Sequence, residues 1–436
     1  MARALLHSAK ACPVQLEDWA AQLLAIEPSP ELVALHVNDT IAAFLTGLDT
    51  ADAHALARFY GRRSETERAA AAAAIARLSE CDDIHLASCA TPGAAVVPVA
   101  LALSGKSDEQ TFHRAIAAGY AAGISVGKAI GGTKALQGGV WPSLIAAPLM
   151  AAVTASCLSG HDASGLAHAM ALALAGASGR IGRPTGAPSG RWFAFAESVL
   201  KGVRAAEAAG QGFRGDLQLI SPAWLAAQAG HEDIGADIFA SAPPALAETG
   251  FKPFPIARQG LNAVIAFQNL LAKGLDPQHI EGVQVFVPGI NAALLSRPAT
   301  EQDRLSRISN IGYQLACAAF VPDLLHDPER TAPTGLPLIE WARHIMLTQA
   351  QDLNVHLPDR WAASVVVNAK GERFEETVVQ SPFDGDAPDV KEALTKKWRR
   401  IASKGAEDAL TGTEQHRNYA TLWQNVERRL NRLASP

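Results

Sequence analysis

The sequence predicts a mainly α protein: a large all-helical domain, a smaller α+β region and closing helices. Apolar residues recur at helical spacing between capping signals through roughly the first 250 positions. Strand-like alternation is confined to about residues 255–390, and a charged periodic pattern returns from Val390 onward. The expected units are 1–254, 255–390 and 391–436, with the last helices packing back on the first domain.

In chain order, Ser29-Pro30-Glu31 is an N-cap followed by proline at the first helical position, and Val33, Val37, Ile41 and Phe44 continue the stripe. Ser107-Asp108-Glu109-Gln110 is expected to open a second helix as a capping box, running through Phe112 and Ile116. Asp162 or Ser164 can start a third. Alanine dominates this half, and small residues let helices approach closely. The stretches Leu86 to Gly105 and Ser143 to Gly160 are uncharged, but their Ala, Ser, Thr and Pro content fits buried helices better than membrane spans. FKPFPIARQG, from Phe251, is a proline-interrupted joint leading to a helix over 261–271. Val283, Val285 and Val287 then alternate as a strand, and Ala363 to Gln380 reads as two strands joined by a turn around Asn368 to Gly371.

With 436 residues, 48% of them hydrophobic, the chain can bury a sizeable core in two or three domains. A net charge of -5 and no long basic run exclude an electrostatic footprint for nucleic acid, so the expected partner is a small molecule. Cys12, Cys81, Cys89, Cys157 and Cys317 are odd in number and contain no CxxC pair, which argues against a disulfide framework or zinc ribbon. The N-terminal apolar run is only Ala4 to Leu6, too short for a signal peptide, so a cytoplasmic location is expected.

No GxGxxG opens a helix after a strand, and neither GxxxxGK[ST] nor HExxH is present. DDIHLASCATPG, Asp82 to Gly93, sets two carboxylates beside His85. On a helix, adjacent carboxylates point about 100 degrees apart, and one histidine leaves a metal ligand set short, so no metal is expected. Two readings stay open: a solvated helix end capped by an aspartate, or the acid/base edge of a cleft. SGRIGRPTGAPSGRW carries Arg180, Arg183 and Arg191 among glycines and hydroxyls, as an anion pocket or as a flexible loop with solvated arginines. Trp141 reads as core or as an apolar pocket wall.

DDIHLASCATPGAAVVP resembles the DDxHxxxxxHP segment of the MmgE/PrpD family. Gly138 to Ser143, Lys201 to Gly215, KPFP at Lys252 to Pro255 and Ser309 to Phe320 resemble four further elements of that family, in the same order. The resemblance implies a helical domain, an α+β lid, a cleft between them and a homodimer. It also implies cofactor-free lyase chemistry on a small di- or tricarboxylate or amino-dicarboxylate, with removal of a proton next to a carboxylate. Epimerisation by the same proton removal, or carboxylate binding without catalysis, are the alternatives. The departures are Thr91 and Trp141 where the family has histidines, Arg191 in place of a lysine, and Ala257 for the histidine after the joint. The expected catalytic residues are His85 as base, oriented by Asp82 or Asp83, with Tyr313 or Lys252 as proton donor. Thr91, Trp141, Arg180, Arg183, Arg191 and Arg258 are expected to bind substrate.

Overall fold

The computed structural model describes residues 14–180, 189–402 and 418–434. The helical part begins with α1 (Leu16–Leu24), α2 (Pro30–Gly47), α3 (Ala51–Tyr60), α4 (Glu65–Leu78) and α5 (Pro92–Leu103). It continues with α6 (Glu109–Ala129), α7 (Thr133–Gln137), α8 (Pro142–Leu158), α9 (Ala163–Leu174), α10 (Gly190–Gly210), α11 (Pro222–Ala229) and α12 (Ala245–Glu248). Capping residues fix several starts. Ser29 Oγ accepts from Leu32 N–H at 3.4 Å, and Asp162 Oδ1 accepts from Gly165 N–H at 2.8 Å. The capping box expected at Ser107 does not form. Asp108, one residue further on, is the N-cap of α6 and accepts from Thr111 N–H at 2.7 Å, while the Ser107 hydroxyl finds no partner among the described residues.

Small residues make the close packing possible. Every residue of α8 is buried, and a Cβ on Gly202 of α10 would lie 2.1 Å from Pro148 O of α8. No helix among the described residues is long and apolar enough to cross a membrane. One apolar core links α1 to α12, and it also takes in Leu394 and Trp398 of α18 (Val390–Ala402) and Trp423, Val426 and Leu430 of α19 (Tyr419–Leu433).

A second core belongs to the α+β part. Its elements are α13 (Leu261–Ala272), β1 (Ile280–Val287), α14 (Gly289–Leu295), α15 (Arg304–Ser309), α16 (Ile311–Phe320), α17 (Leu338–Ala342), β2 (Ile345–Gln349), β3 (Ala363–Ala369) and β4 (Glu372–Val378). The sheet order is β2-β1-β3-β4, with β1 parallel to β2 and antiparallel to β3. Lys370 and Gly371 both have positive φ, 53° and 72°, as a tight hairpin between β3 and β4 requires. The sequence did not reveal β2: it is an edge strand, only partly buried, and lacks a clean apolar alternation.

Candidate functional site

The segment between α4 and α5 is not the helix end that two adjacent aspartates suggested. It is an irregular loop anchored to the proline-interrupted joint: Ile84 and Gly250 exchange backbone hydrogen bonds at 2.8 and 3.0 Å, and Ile256 N–H donates to Glu80 O at 3.0 Å. Two non-glycine residues, Glu80 and Cys89, take φ of 54° there. Such left-handed backbone is uncommon outside glycine and persists only where its surroundings hold it. The pairing sets Lys252 opposite Asp82, with Nζ donating to Oδ1 at 2.9 Å and Glu80 Oε2 at 3.9 Å.

The two aspartates have different surroundings. Asp83 is buried and accepts from Gly93 N–H at 2.9 Å, Tyr120 O–H at 2.6 Å and His36 Nδ1–H at 3.0 Å. It caps α5, whose N-cap residue Thr91 makes no side-chain cap. It is a structural node and does not orient His85. Asp82 has one oxygen on Lys252 and 3.4 Å from Arg77 Nη1, whereas Oδ2 has no partner among the described residues. Burial pushes its carboxyl above the usual value, against the pull of Arg77 and Lys252.

A cavity of ≈130 Å³ lies at the junction of the helical and α+β parts. Glu80, Thr91, Trp141, Arg191, Lys252 and Arg258 line it, together with Arg77, Arg297 and several aliphatic side chains. Arg191 starts α10, and its guanidinium carbon lies 4.7 Å from the ring centroids of both Trp141 and Trp192. Trp141 in turn stacks on Phe195. This cluster holds the arginine by cation–π contact. Arg191 Nε is sealed without a hydrogen-bond partner, and among the described residues no carboxylate pairs with its guanidinium. Burial pulls its guanidinium down to about 10, and it stays charged at neutral pH. The other cations are engaged: Arg77 with Glu80 at 3.0 Å, Arg258 with Asp384, and Arg297 with Asp303. Burial works against the Glu80 carboxylate, but Arg77, Lys252 and Arg191 outweigh it and hold Glu80 at about 2.

Several expected residues lie elsewhere. His85 is not on the cavity wall: Ser88 N–H donates to its Nδ1 at 3.1 Å, so the ring proton sits on Nε2, 3.3 Å from Glu248 Oε2. Tyr313 is buried in the second core with its O–H donating to Arg330 O at 3.1 Å, and burial pushes the phenol up to about 12. Arg180 is exposed and donates to Gly138 O at 3.2 Å, tying down the turn before Trp141. Arg183 lies outside the described residues. Conversely, the sequence reading passed over Arg77, Glu80 and Arg297. The signal for the first two was the pair of charges that ends the apolar run AAAAAAIARLSE, one in the last turn of α4 and one just past it. Among the described residues, no group of three or more His, Cys, Asp or Glu could hold a metal ion.

A helical domain and an α+β domain meet at a cation-rich cleft, and such junctions are where small-molecule sites occur in two-part folds. Residues 31–233 match the MmgE/PrpD N-terminal domain, which supports membership of the MmgE/PrpD family. That family is known for dehydratase and lyase-type chemistry. No curated protein matches the chain.

Proposed function

We propose that this protein is a cofactor-independent lyase that removes a proton from the carbon next to a substrate carboxylate and expels hydroxide from the neighbouring carbon. The observation that carries this reading is Arg191, a charged guanidinium on the cavity wall with no carboxylate partner among the described residues. A bound carboxylate supplies that partner. As the α-carbon loses its proton, negative charge spreads onto the carboxylate, and a fixed guanidinium stabilises it there.

No imidazole lines the cavity among the described residues, so Lys252 is the wall residue suited to carry the proton. Its Nζ donates to Asp82 Oδ1 at 2.9 Å, a hydrogen bond along which a proton can pass to the carboxylate when the amine acts as base. The amine takes the α-proton, the C–H pair becomes the new C=C bond, and the C–O bond breaks. Lys252 then passes the proton to the departing oxygen, which leaves as water. Glu80, held ionised, is poorly suited to donate it.

The missing wall imidazole also favours a second reading, a carboxylate-binding protein without turnover. Incubating the full chain with 2- and 3-hydroxy acids in deuterated water, followed by proton NMR, separates the readings. The proposal expects vinylic signals that vanish in Lys252→Met. Deuterium at the α-carbon without vinylic signals identifies an isomerase. Ligand binding with neither signal overturns catalysis.

A further inference from the structure

The charges on the cavity wall nearly cancel. Five cations reach it: Arg77, Arg191, Lys252, Arg258 and Arg297. Four carboxylates answer them from within the protein: Glu80 to Arg77, Asp82 to Lys252, Asp384 to Arg258 and Asp303 to Arg297. Among the described residues of the wall, one positive charge remains, at Arg191; Arg304, close by but off the wall, donates to the Pro328 and Leu78 carbonyls. A ligand with a second or third carboxylate brings it beside Glu80 and Asp82 with no cation left to meet it, and a buried unpaired charge is costly. Six aliphatic side chains, Ile84, Leu136, Ile256, Leu294, Leu305 and Ile308, share the wall with the uncharged polar groups of Thr91, Gln259 and Ser309.

Volume points the same way. The cavity of ≈130 Å³ is close to the ~150 Å³ that accommodates one benzene ring, so the occupant has about six to nine non-hydrogen atoms. A tricarboxylic acid of citrate size has roughly half as many again.

We infer that the substrate is a small monocarboxylate with a hydrocarbon branch, its carboxylate on Arg191 and its branch on the aliphatic wall. This rests on the carboxylate-site reading above. The corresponding reaction interconverts a short branched 3-hydroxy acid with its 2-enoic acid and water.

Calorimetric titration of the full chain with 3-methylbutanoate, acetate, succinate and propane-1,2,3-tricarboxylate, at constant ionic strength, tests the inference. The expected result is that 3-methylbutanoate binds at least tenfold tighter than each of the others, and that Arg191→Gln weakens it at least tenfold without lowering the melting temperature. Succinate or the triacid binding as tightly through Arg191 overturns the inference and leaves the carboxylate-site reading standing. Acetate binding as tightly overturns the hydrocarbon branch. If no acid binds through Arg191, both the inference and the site reading fail.

Discussion

Replacing Asp83 by alanine tests whether the second aspartate of the motif builds the site without taking part in its chemistry. The substitution strips the acceptor from three groups at once: Gly93 N–H, Tyr120 O–H and His36 Nδ1–H. His36 Nε2 lies 2.9 Å from Leu246 O, so both ring nitrogens of the buried His36–Asp83 pair face oxygen. An unsatisfied buried donor costs about 1–3 kcal/mol, and breaking a buried ion pair about 3–5 kcal/mol. These costs overlap, because all three groups share one carboxylate. A total of about 4–6 kcal/mol follows, or roughly 10 °C or more in melting temperature for a helical domain of this size. Urea denaturation and thermal melts followed by tryptophan fluorescence read this directly. A variant that melts within about 2 °C of the parent, a shift worth only about 1 kcal/mol at this size, refutes the structural assignment and returns Asp83 to the cleft.

Lys397 reaches in from α18 to donate to Asp39 Oδ1 at 2.7 Å and to Cys81 O at 2.8 Å, directly before the aspartates. Lys397→Met is expected to destabilise by about 3–5 kcal/mol in urea melts, because it leaves Asp39 buried and unpaired. Lys397→Met with Asp39→Leu should recover most of that loss; no recovery contradicts the pairing. Glu80 is held at about 2 against an ordinary 4.5, so its folded value is depressed. The stability it contributes is present above pH 4.5 and is lost as pH falls toward 2, so Glu80→Gln should show a shallower acid limb across that window. Parallel limbs in the parent and Glu80→Gln contradict the charge environment derived for the cleft.

Much of the fold was legible because caps and periodicity are local signals. Ser29 and Asp162 cap the helices they announce, and the β3–β4 turn sits at Lys370 and Gly371. The candidate site was legible mainly through motif order, which brought Thr91, Trp141, Arg191, Lys252 and Arg258 to one cavity. What failed was orientation. Nothing in DDIH reveals that Asp83 turns toward Tyr120 and α5, or that His85 turns toward Glu248 on a segment 163 positions away. The same holds for Tyr313, whose hydroxyl is satisfied by a carbonyl 17 positions on. Those choices depend on which long-range partner is nearest after folding. Arg77, in the last turn of α4, and Glu80, at positive φ just after it, reach the cavity wall through a turn whose direction the local sequence does not announce.

The central claim is that Arg191 holds a substrate carboxylate, and the most direct measurement compares kcat/KM with melting temperature in Arg191→Ala and Arg191→Lys. Loss of a charge-assisted clamp should cost about 2–5 kcal/mol, or roughly 30- to 4000-fold in kcat/KM. The melting temperature should hold, because Arg191 has no ion-pair partner among the described residues to strand. Arg191→Lys should recover only part of the loss, since an ammonium cannot reproduce the guanidinium fork or its stacking on Trp141 and Trp192. Unchanged kinetics in Arg191→Ala, or a collapse of its melting temperature, contradicts the account.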